Sequence, residues 1–117
     1  MDKIKFRGIR SDNNEWVYGS LMAFENNTMC IMPKQLHNTK NLLVFYEVEP
    51  ETVGQYTGLK DKSGVEIFEG DIVETIDGEI TKVYWDNEDS GFKFGRGWAT
   101  DDIKVIGNIY ENPELYK

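Results

Sequence analysis

Short segments that alternate apolar and polar residues, each closed by a turn signal, constrain this chain more than any other feature. In residues 4–7 and 16–24 the large apolar side chains fall at alternate positions, which is the period of a half-buried β-strand. A polar turn at residues 11–15 separates these two segments. No long stretch keeps a helical period, so the chain is predicted to be mainly β, with α+β as the alternative class. The prediction includes an N-terminal antiparallel meander and short helical turns near residues 33–41 and 50–56.

Glycine-containing turns divide the second half of the chain as well. Gly70 interrupts an apolar series as a bulge or bend would, and Asp77-Gly78 is the strongest short-range hairpin signal in the sequence. Residues 41–48 are apolar on both faces, which predicts a central strand. Closely spaced short strands of this kind predict a small β-barrel over residues 58–110.

Length and composition favour one compact domain. The chain has 117 residues, of which 39% are hydrophobic, enough for one core and too little for two large ones. We predict a single domain over residues 1–117, with a meander and connector in residues 1–57 and the barrel and C-terminal strand in residues 58–117. Cys30 is the sole cysteine, which excludes an internal disulfide. Its apolar neighbours, and the lack of an apolar run of about 18 residues, predict a soluble cytoplasmic protein.

Charge is distributed unevenly along the chain. Lys and Arg number 13 against 21 Asp and Glu, a formal net charge of −8, which disfavours nucleic acid as a partner. Residues 1–44 carry six basic and four acidic side chains, whereas residues 45–117 carry seven and seventeen, a net of −10. The acidic half is therefore predicted to steer a partner whose contact surface is basic.

Side chains that could carry chemistry are few. His37 is the sole histidine, which excludes a two-histidine metal site and leaves no signature of a histidine-activated nucleophile. The acidic turn with Asp86, Glu88 and Asp89 has oxygen ligands but not the spacing of a calcium loop, so a solvated hairpin turn is preferred. Carboxylates at residues 66–74 fit the polar positions of a strand better than an acid–base pair. No catalytic residue, metal or cofactor is predicted.

Aromatic side chains are more numerous than one small core requires, which favours a partner-binding patch. Most of them are predicted to lie in the core, and a subset with Trp98 beside Arg96 is predicted to form the patch. The aromatic set is Trp16, Tyr56, Phe68, Trp85, Phe92, Phe94 and Trp98.

Three long strings of low degeneracy carry a family resemblance. They are residues 52–61 (TVGQYTGLKD), 69–73 (EGDIV) and 106–113 (IGNIYENP). On these strings the chain resembles the YopX-like proteins of bacteriophages and prophages of low-GC Gram-positive bacteria, over essentially its whole length. The resemblance implies a β-rich fold with an SH3-like small barrel, and it implies no catalytic residue or ligand.

The residues of these strings mainly shape the backbone. Residues 56–59 are predicted to be the connector into the barrel, and residues 69–73 its bent first strand. Asp71 is predicted to bond a nearby backbone N–H. Gln55 and Tyr56 are the exceptions, because an amide and a hydroxyl could meet a partner.

Family context and composition together predict a non-enzymatic phage or prophage accessory protein that binds a host or phage protein. The predicted binding residues are Gln55, Tyr56, Arg96 and Trp98. A nucleic-acid-associated protein that uses the slightly basic N-terminal third is the alternative, and a carboxylate-dependent enzyme is a further one. The basic side chains of that third include Lys3, Lys5, Arg7 and Arg10. No membrane partner is expected.

Overall fold

A computed structural model describes residues 4–33, 44–94 and 102–116 of the chain. The chain divides into two compact units, Met1–Gln55 and Tyr56–Lys117, called unit 1 and unit 2 below. Its described elements are antiparallel strands and short 3-10 helices, so the prediction of a mainly β chain is confirmed. None of the helices in the described residues is long and apolar enough to cross a membrane.

The strands are short, as the spacing of the turn signals predicts. The first five are β1 (Phe6–Ile9), β2 (Trp16–Ala23), β3 (Met29–Pro33), β4 (Tyr46–Val48) and β5 (Gly54–Lys60). The others are β6 (Glu66–Phe68), β7 (Asp71–Thr75), β8 (Ile80–Lys82), β9 (Tyr84–Asp86), β10 (Gly91–Lys93) and β11 (Ile103–Asn108). The 3-10 helices span Pro50–Thr52 and Pro113–Leu115.

Helical structure near residues 50–56 is shorter than predicted. The 3-10 helix stops at Thr52, and β5 begins two residues later. Pro50 takes the first helical turn, where a missing N–H costs nothing. The other predicted helical turn, near residues 33–41, lies almost entirely outside the described residues.

Unit 1 is an antiparallel sheet with the strand order β4-β3-β2-β1, and the start of β5 pairs with β1. The end of β1 also bonds the chain at the end of β4, because the Glu49 N–H, one residue after β4, donates to the Ile9 carbonyl at 2.8 Å and Arg10 bridges Val48. The strand predicted over residues 41–48 is shorter than predicted, since it begins at Tyr46, and residues 41–43 lie outside the described residues. It pairs with β3 on one side and bonds the chain at the end of β1 on the other, so it has partners on both sides, as a central strand does.

The core of unit 1 covers one face of this sheet. Val17, Ile31 and Val48 are buried at its centre, and partly buried apolar side chains pack against them. A Cβ atom at Gly8 would lie 3.0 Å from the Cβ of Val48. Glycine at this position therefore lets β1 lie close to the core side chain of β4.

Unit 2 contains a three-stranded antiparallel sheet in the order β11-β7-β8, and β9 and β10 form a separate hairpin. Its core consists of Ile67, Val73, Val83 and Ile103, with Phe94 among the partly buried side chains around it. The described strands of residues 58–110 do not close into a barrel. The SH3-like form of this region stays a prediction.

Residues 56–59 were predicted to be a connector, and this was wrong, since they lie within β5. Tyr56 pairs with Phe68 of β6, and the register shifts between Tyr56 and Lys60. Gly58 has a φ of 87° in this irregular stretch. A glycine-containing bulge thus keeps the segment in a strand where the sequence indicates a break.

The hairpin predicted at Asp77-Gly78 is confirmed. It joins β7 to β8, the Gly78 N–H donates to the Thr75 carbonyl at 2.9 Å, and Gly78 has a φ of 86°. A Cβ atom at Gly78 would meet nothing within 4 Å. Glycine is therefore required here by backbone conformation alone.

Replacing Gly78 by valine should destabilise unit 2 by about 1–2 kcal/mol, because a β-branched residue at positive φ is strained. Urea unfolding followed by circular dichroism measures the loss. Ile76→Val is the matched control, since Ile76 is 70% exposed in the same turn and already β-branched. Equal midpoints for Gly78→Val and the control would contradict the turn geometry.

Candidate functional site

Asp61 closes the first family string and is a structural residue. Its side chain is buried, and Oδ1 accepts the N–H groups of Ser63 at 2.8 Å and Val65 at 2.9 Å. Oδ2 accepts the Val105 N–H at 2.9 Å. One carboxylate thereby forms the turn between β5 and β6 and attaches it to β11.

The pKa of Asp61 reflects these bonds. Desolvation acts to raise the pKa of the carboxyl, but the N–H donors of Val105, Val65 and Ser63 and the charge of Lys104 outweigh it, so the pKa lies below its usual range. The ionised form is the one that the fold binds. A carboxylate held in this way is unsuited to proton transfer near neutral pH.

The second family string forms a bend between β6 and β7. The Asp71 side chain is buried, and its Oδ2 accepts the Phe68 N–H at 2.7 Å, which confirms the predicted backbone bond. Gly70 has a φ of 94°, and a Cβ atom there would lie 3.0 Å from the ring of Tyr110. The glycine therefore serves both the bend and the close approach of the aromatic ring.

The third family string builds the turn after β11. Oδ1 of Asn108 accepts the N–H groups of Tyr110 at 3.0 Å and Glu111 at 2.9 Å. The Asn108 N–H in turn donates to Oδ1 of Asn112 at 3.2 Å. A Cβ atom at Gly107 would lie 2.6 Å from the same Asn112 oxygen. These side chains are occupied in shaping the turn.

The predicted binding residues have different surroundings. Gln55 is partly buried and pairs with Phe6 of β1. Tyr56 is only 9% exposed, and its ring centroid lies 5.4 Å from that of Phe68. The Tyr56 ring is thus a packed side chain and does not present an exposed anchor. Arg96 and Trp98 lie outside the described residues, as do His37 and Lys3.

The β9–β10 hairpin carries a pair from the aromatic set, most of which was predicted to lie in the core. Trp85 and Phe92 lie directly opposite each other, with ring centroids 5.0 Å apart in an edge-to-face arrangement. Trp85 is 43% exposed, and its neighbour Tyr84 is 42% exposed. Two successive exposed aromatics in a strand mean that both faces of the hairpin present a ring. The sequence signal for this pair was one aromatic residue on each side of the acidic turn.

The turn of this hairpin is acidic, and its carboxylates differ in role. Oδ1 of Asp86 accepts the Glu88 N–H at 2.9 Å, so Asp86 shapes the turn. Asp89 forms a 2.8 Å ion pair with Lys93, and the hydrogen bond and charge of Lys93 hold the pKa of Asp89 below its usual range. Glu88 is exposed. Glu88 is therefore the carboxylate whose charge can be changed with the least effect on the turn.

Unit 2 is strongly acidic, yet its described carboxylates are not grouped as a metal site. The unit carries seven basic and fourteen acidic side chains, a net of −7. Within residues 4–33, 44–94 and 102–116, no three His, Cys, Asp or Glu side chains are grouped so as to hold a metal ion. The described hairpin can therefore offer aromatic surface and negative charge to a partner.

Comparison with known proteins places the chain in a family. A family model described as YopX protein matches residues 5–117. The chain belongs to the YopX family. The YopX match spans all three strings, which contain the irregular strand β5 and the bends and turns described above.

A solved structure has a fold similar to that of this YopX-family chain. It is the crystal structure of protein EF1440 from Enterococcus faecalis, which is 23% identical, with a TM-score of 0.63 and 100% of each chain covered. At this identity the likeness shows the fold alone. No curated protein matches the chain in sequence.

Proposed function

We propose that this YopX-family protein is a non-enzymatic accessory protein of a phage or prophage, and that it binds a host or phage protein in the bacterial cytoplasm. The observation that carries the proposal is the exposed Trp85, paired with Phe92 beside an acidic turn. An exposed tryptophan that is held by a neighbouring ring loses little side-chain entropy on binding, which favours an anchoring role.

The acidic character of unit 2 supports a partner with a basic contact surface. Exposed carboxylates around the anchor increase the rate of encounter with such a surface, whereas the aromatic contact determines how long the complex lasts. In this proposal unit 2 acts as a small SH3-like binding fold. The carboxylates Asp61 and Asp71 are bound to backbone N–H groups, which supports a structural role for them over catalysis.

The two contributions to binding should separate kinetically. Trp85→Ala is expected to raise the dissociation rate of the partner by about tenfold or more, because an anchoring tryptophan contributes at least about 1.4 kcal/mol. Glu88→Gln is expected to lower the association rate by about twofold and to leave dissociation nearly unchanged. Surface plasmon resonance measures both rates with the partner that the wild-type protein captures from host lysate.

Matched controls for this test lie in unit 1. Tyr18 is an exposed aromatic, 44% accessible, and Glu25 is an exposed carboxylate. Tyr18→Ala and Glu25→Gln should leave both rates at the wild-type values. Three results would overturn the proposed function. They are an association rate that does not depend on salt, a partner with an acidic contact surface, and equal rates for Trp85→Ala and Tyr18→Ala.

Nucleic acid is not the partner in this proposal, and we expect no measurable binding of mixed-sequence duplex DNA or RNA near 0.15 M salt. An acidic protein releases few counterions. Arg7 is buried with its guanidinium 4.5 Å from the Trp16 ring centroid, and Arg10 is paired with Asp12, so both are already engaged. A gel-shift titration measures this, and micromolar, salt-resistant binding would favour the nucleic-acid alternative.

A further inference from the structure

A shallow groove of about 350 Å³ lies on unit 1, far along the sequence from the aromatic hairpin. It is bounded by the turn after β1 and by the chain that enters β4. The residues that line it are Ser11, Asp12, Phe45, Tyr46 and Glu47. The Ser11 N–H donates to the Glu47 carbonyl at 3.0 Å, which fixes the two sides of the groove together.

One wall of this groove already binds a guanidinium group of the same chain. Cζ of Arg10 lies 3.9 Å from the ring centroid of Tyr46. Nε and Nη2 of Arg10 donate to the two carboxylate oxygens of Asp12 at 2.9 and 2.7 Å. Stacking on an aromatic ring combined with a forked carboxylate contact is the arrangement that suits a planar guanidinium.

The other wall offers the same two chemical groups, and no cation from the described part of the chain is paired with them. Phe45 is 42% exposed, and Glu47 is exposed two positions later. Phe45 directly precedes β4, and both Phe45 and Glu47 are exposed whereas Tyr46 between them is partly buried, which is the alternation of an extended chain. Side chains two apart in such a chain point to the same side, about 7 Å apart along it, which is within the span of one arginine side chain. Among the described residues, no basic side chain pairs with the Glu47 carboxylate.

We propose that Phe45 and Glu47 form a subsite for an arginine side chain of a protein partner. The guanidinium stacks on Phe45 and donates to the Glu47 carboxylate, as Arg10 does to Tyr46 and Asp12. Lysine fits less well, because a compact ammonium group has no planar face to stack on the ring and does not form a bidentate contact with a carboxylate. Glu47 gives the groove a net negative charge once Arg10 and Asp12 are paired, which matches a cationic occupant. The subsite goes beyond the proposed function, since it requires no contact at the hairpin.

The test uses the whole chain and a blocked Gly-Arg-Gly peptide, with Gly-Lys-Gly and Gly-citrulline-Gly as comparison peptides. Titration followed by amide NMR shifts should move Ser11 and Glu47 with the arginine peptide, and several-fold less with the other two. Phe45→Leu and Glu47→Gln should each weaken arginine binding by about threefold, and the double variant by about tenfold. Phe45→Leu keeps an apolar side chain at an exposed position, so loss of folding does not obscure the result.

A second exposed Phe–Glu pair, adjacent in the chain and so without the spacing of the subsite, provides the control. Phe24, 50% exposed, and Glu25 line a depression at the turn between β2 and β3. Phe24→Leu with Glu25→Gln should leave arginine binding unchanged. Equal shifts with arginine and citrulline peptides, or equal weakening by the two pairs of substitutions, would overturn the subsite. Trp85→Ala should have no effect on this titration, so the subsite and the hairpin can fail independently.

Discussion

Replacing Asp61 by alanine should destabilise unit 2 by about 3 kcal/mol or more. The substitution removes one carboxylate and leaves the N–H groups of Ser63, Val65 and Val105 without their acceptor. Each backbone N–H that loses its partner costs about 1–3 kcal/mol where water does not reach it. Urea unfolding measures the total, and hydrogen exchange at the Val105 amide reports the loss at β11 directly.

Asp61→Asn is the conservative comparison. An asparagine keeps one acceptor oxygen for Ser63 and Val65, but its amide group cannot accept the N–H of Val105. We therefore expect a loss between those of the wild type and Asp61→Ala, with faster exchange concentrated at Val105. An unfolding midpoint for Asp61→Ala within error of the wild type would contradict the structural role of this carboxylate.

The same residue should make unit 2 sensitive to acid. Because the pKa of Asp61 is lower in the folded chain than in the unfolded one, its contribution is complete above about pH 4, the usual pKa of aspartate. It is lost as the pH falls through the folded value. Asp61→Asn has no such group, so the difference in unfolding free energy between wild type and variant should shrink over that pH range.

Gly19→Ala should destabilise unit 1 by about 3 kcal/mol or more, because β2 and β3 must separate to admit the new methyl group. A Cβ atom at Gly19 would lie 2.0 Å from the backbone carbonyl oxygen of Met32. The obstacle is backbone, and it cannot rotate away as a side chain would. Urea unfolding of the variant measures the effect.

Ser20→Ala is the control for this substitution. Ser20 is the next residue of β2, is exposed, and pairs with Met32 across the same strands. Alanine at position 20 adds no atom to the contact, so its unfolding free energy should stay within about 0.5 kcal/mol of the wild type. Similar values for the Gly19 and Ser20 variants would contradict the close approach of β2 and β3.

Local features of the fold could be predicted because they depend on neighbours in the sequence. Asp77-Gly78 specifies a hairpin by its own backbone preferences, and the bend at Gly70 with the Asp71 bond lies within four residues. The connector predicted at residues 56–59 failed because pairing with β6 holds this stretch in a strand despite Gly58. Non-local pairing outweighed a local break.

The exposed aromatic residues of the candidate site could not be predicted in this way, because their exposure depends on packing that no local pattern specifies. Tyr56 and Trp85 both lie in short β segments with alternating neighbours, yet one is buried against Phe68 and the other is exposed beside Phe92. Which aromatic ring is covered depends on what the rest of the unit brings to it. The pairing of β1 with β5 has the same character, since Phe6 and Gln55 are far apart in the chain.

The bond between Asp61 and Val105 also affects the kinetics of folding. It joins positions 44 residues apart, and β11 pairs with β7 although it is the last strand in the chain. During synthesis β7 leaves the ribosome well before β11. One hydrogen-bonding edge of β7 therefore has no native partner until β11 follows. Closing so long a loop is slow, and a waiting strand edge can pair with another chain. Until β11 is present, this topology therefore leaves an edge of β7 open to pairing with another chain.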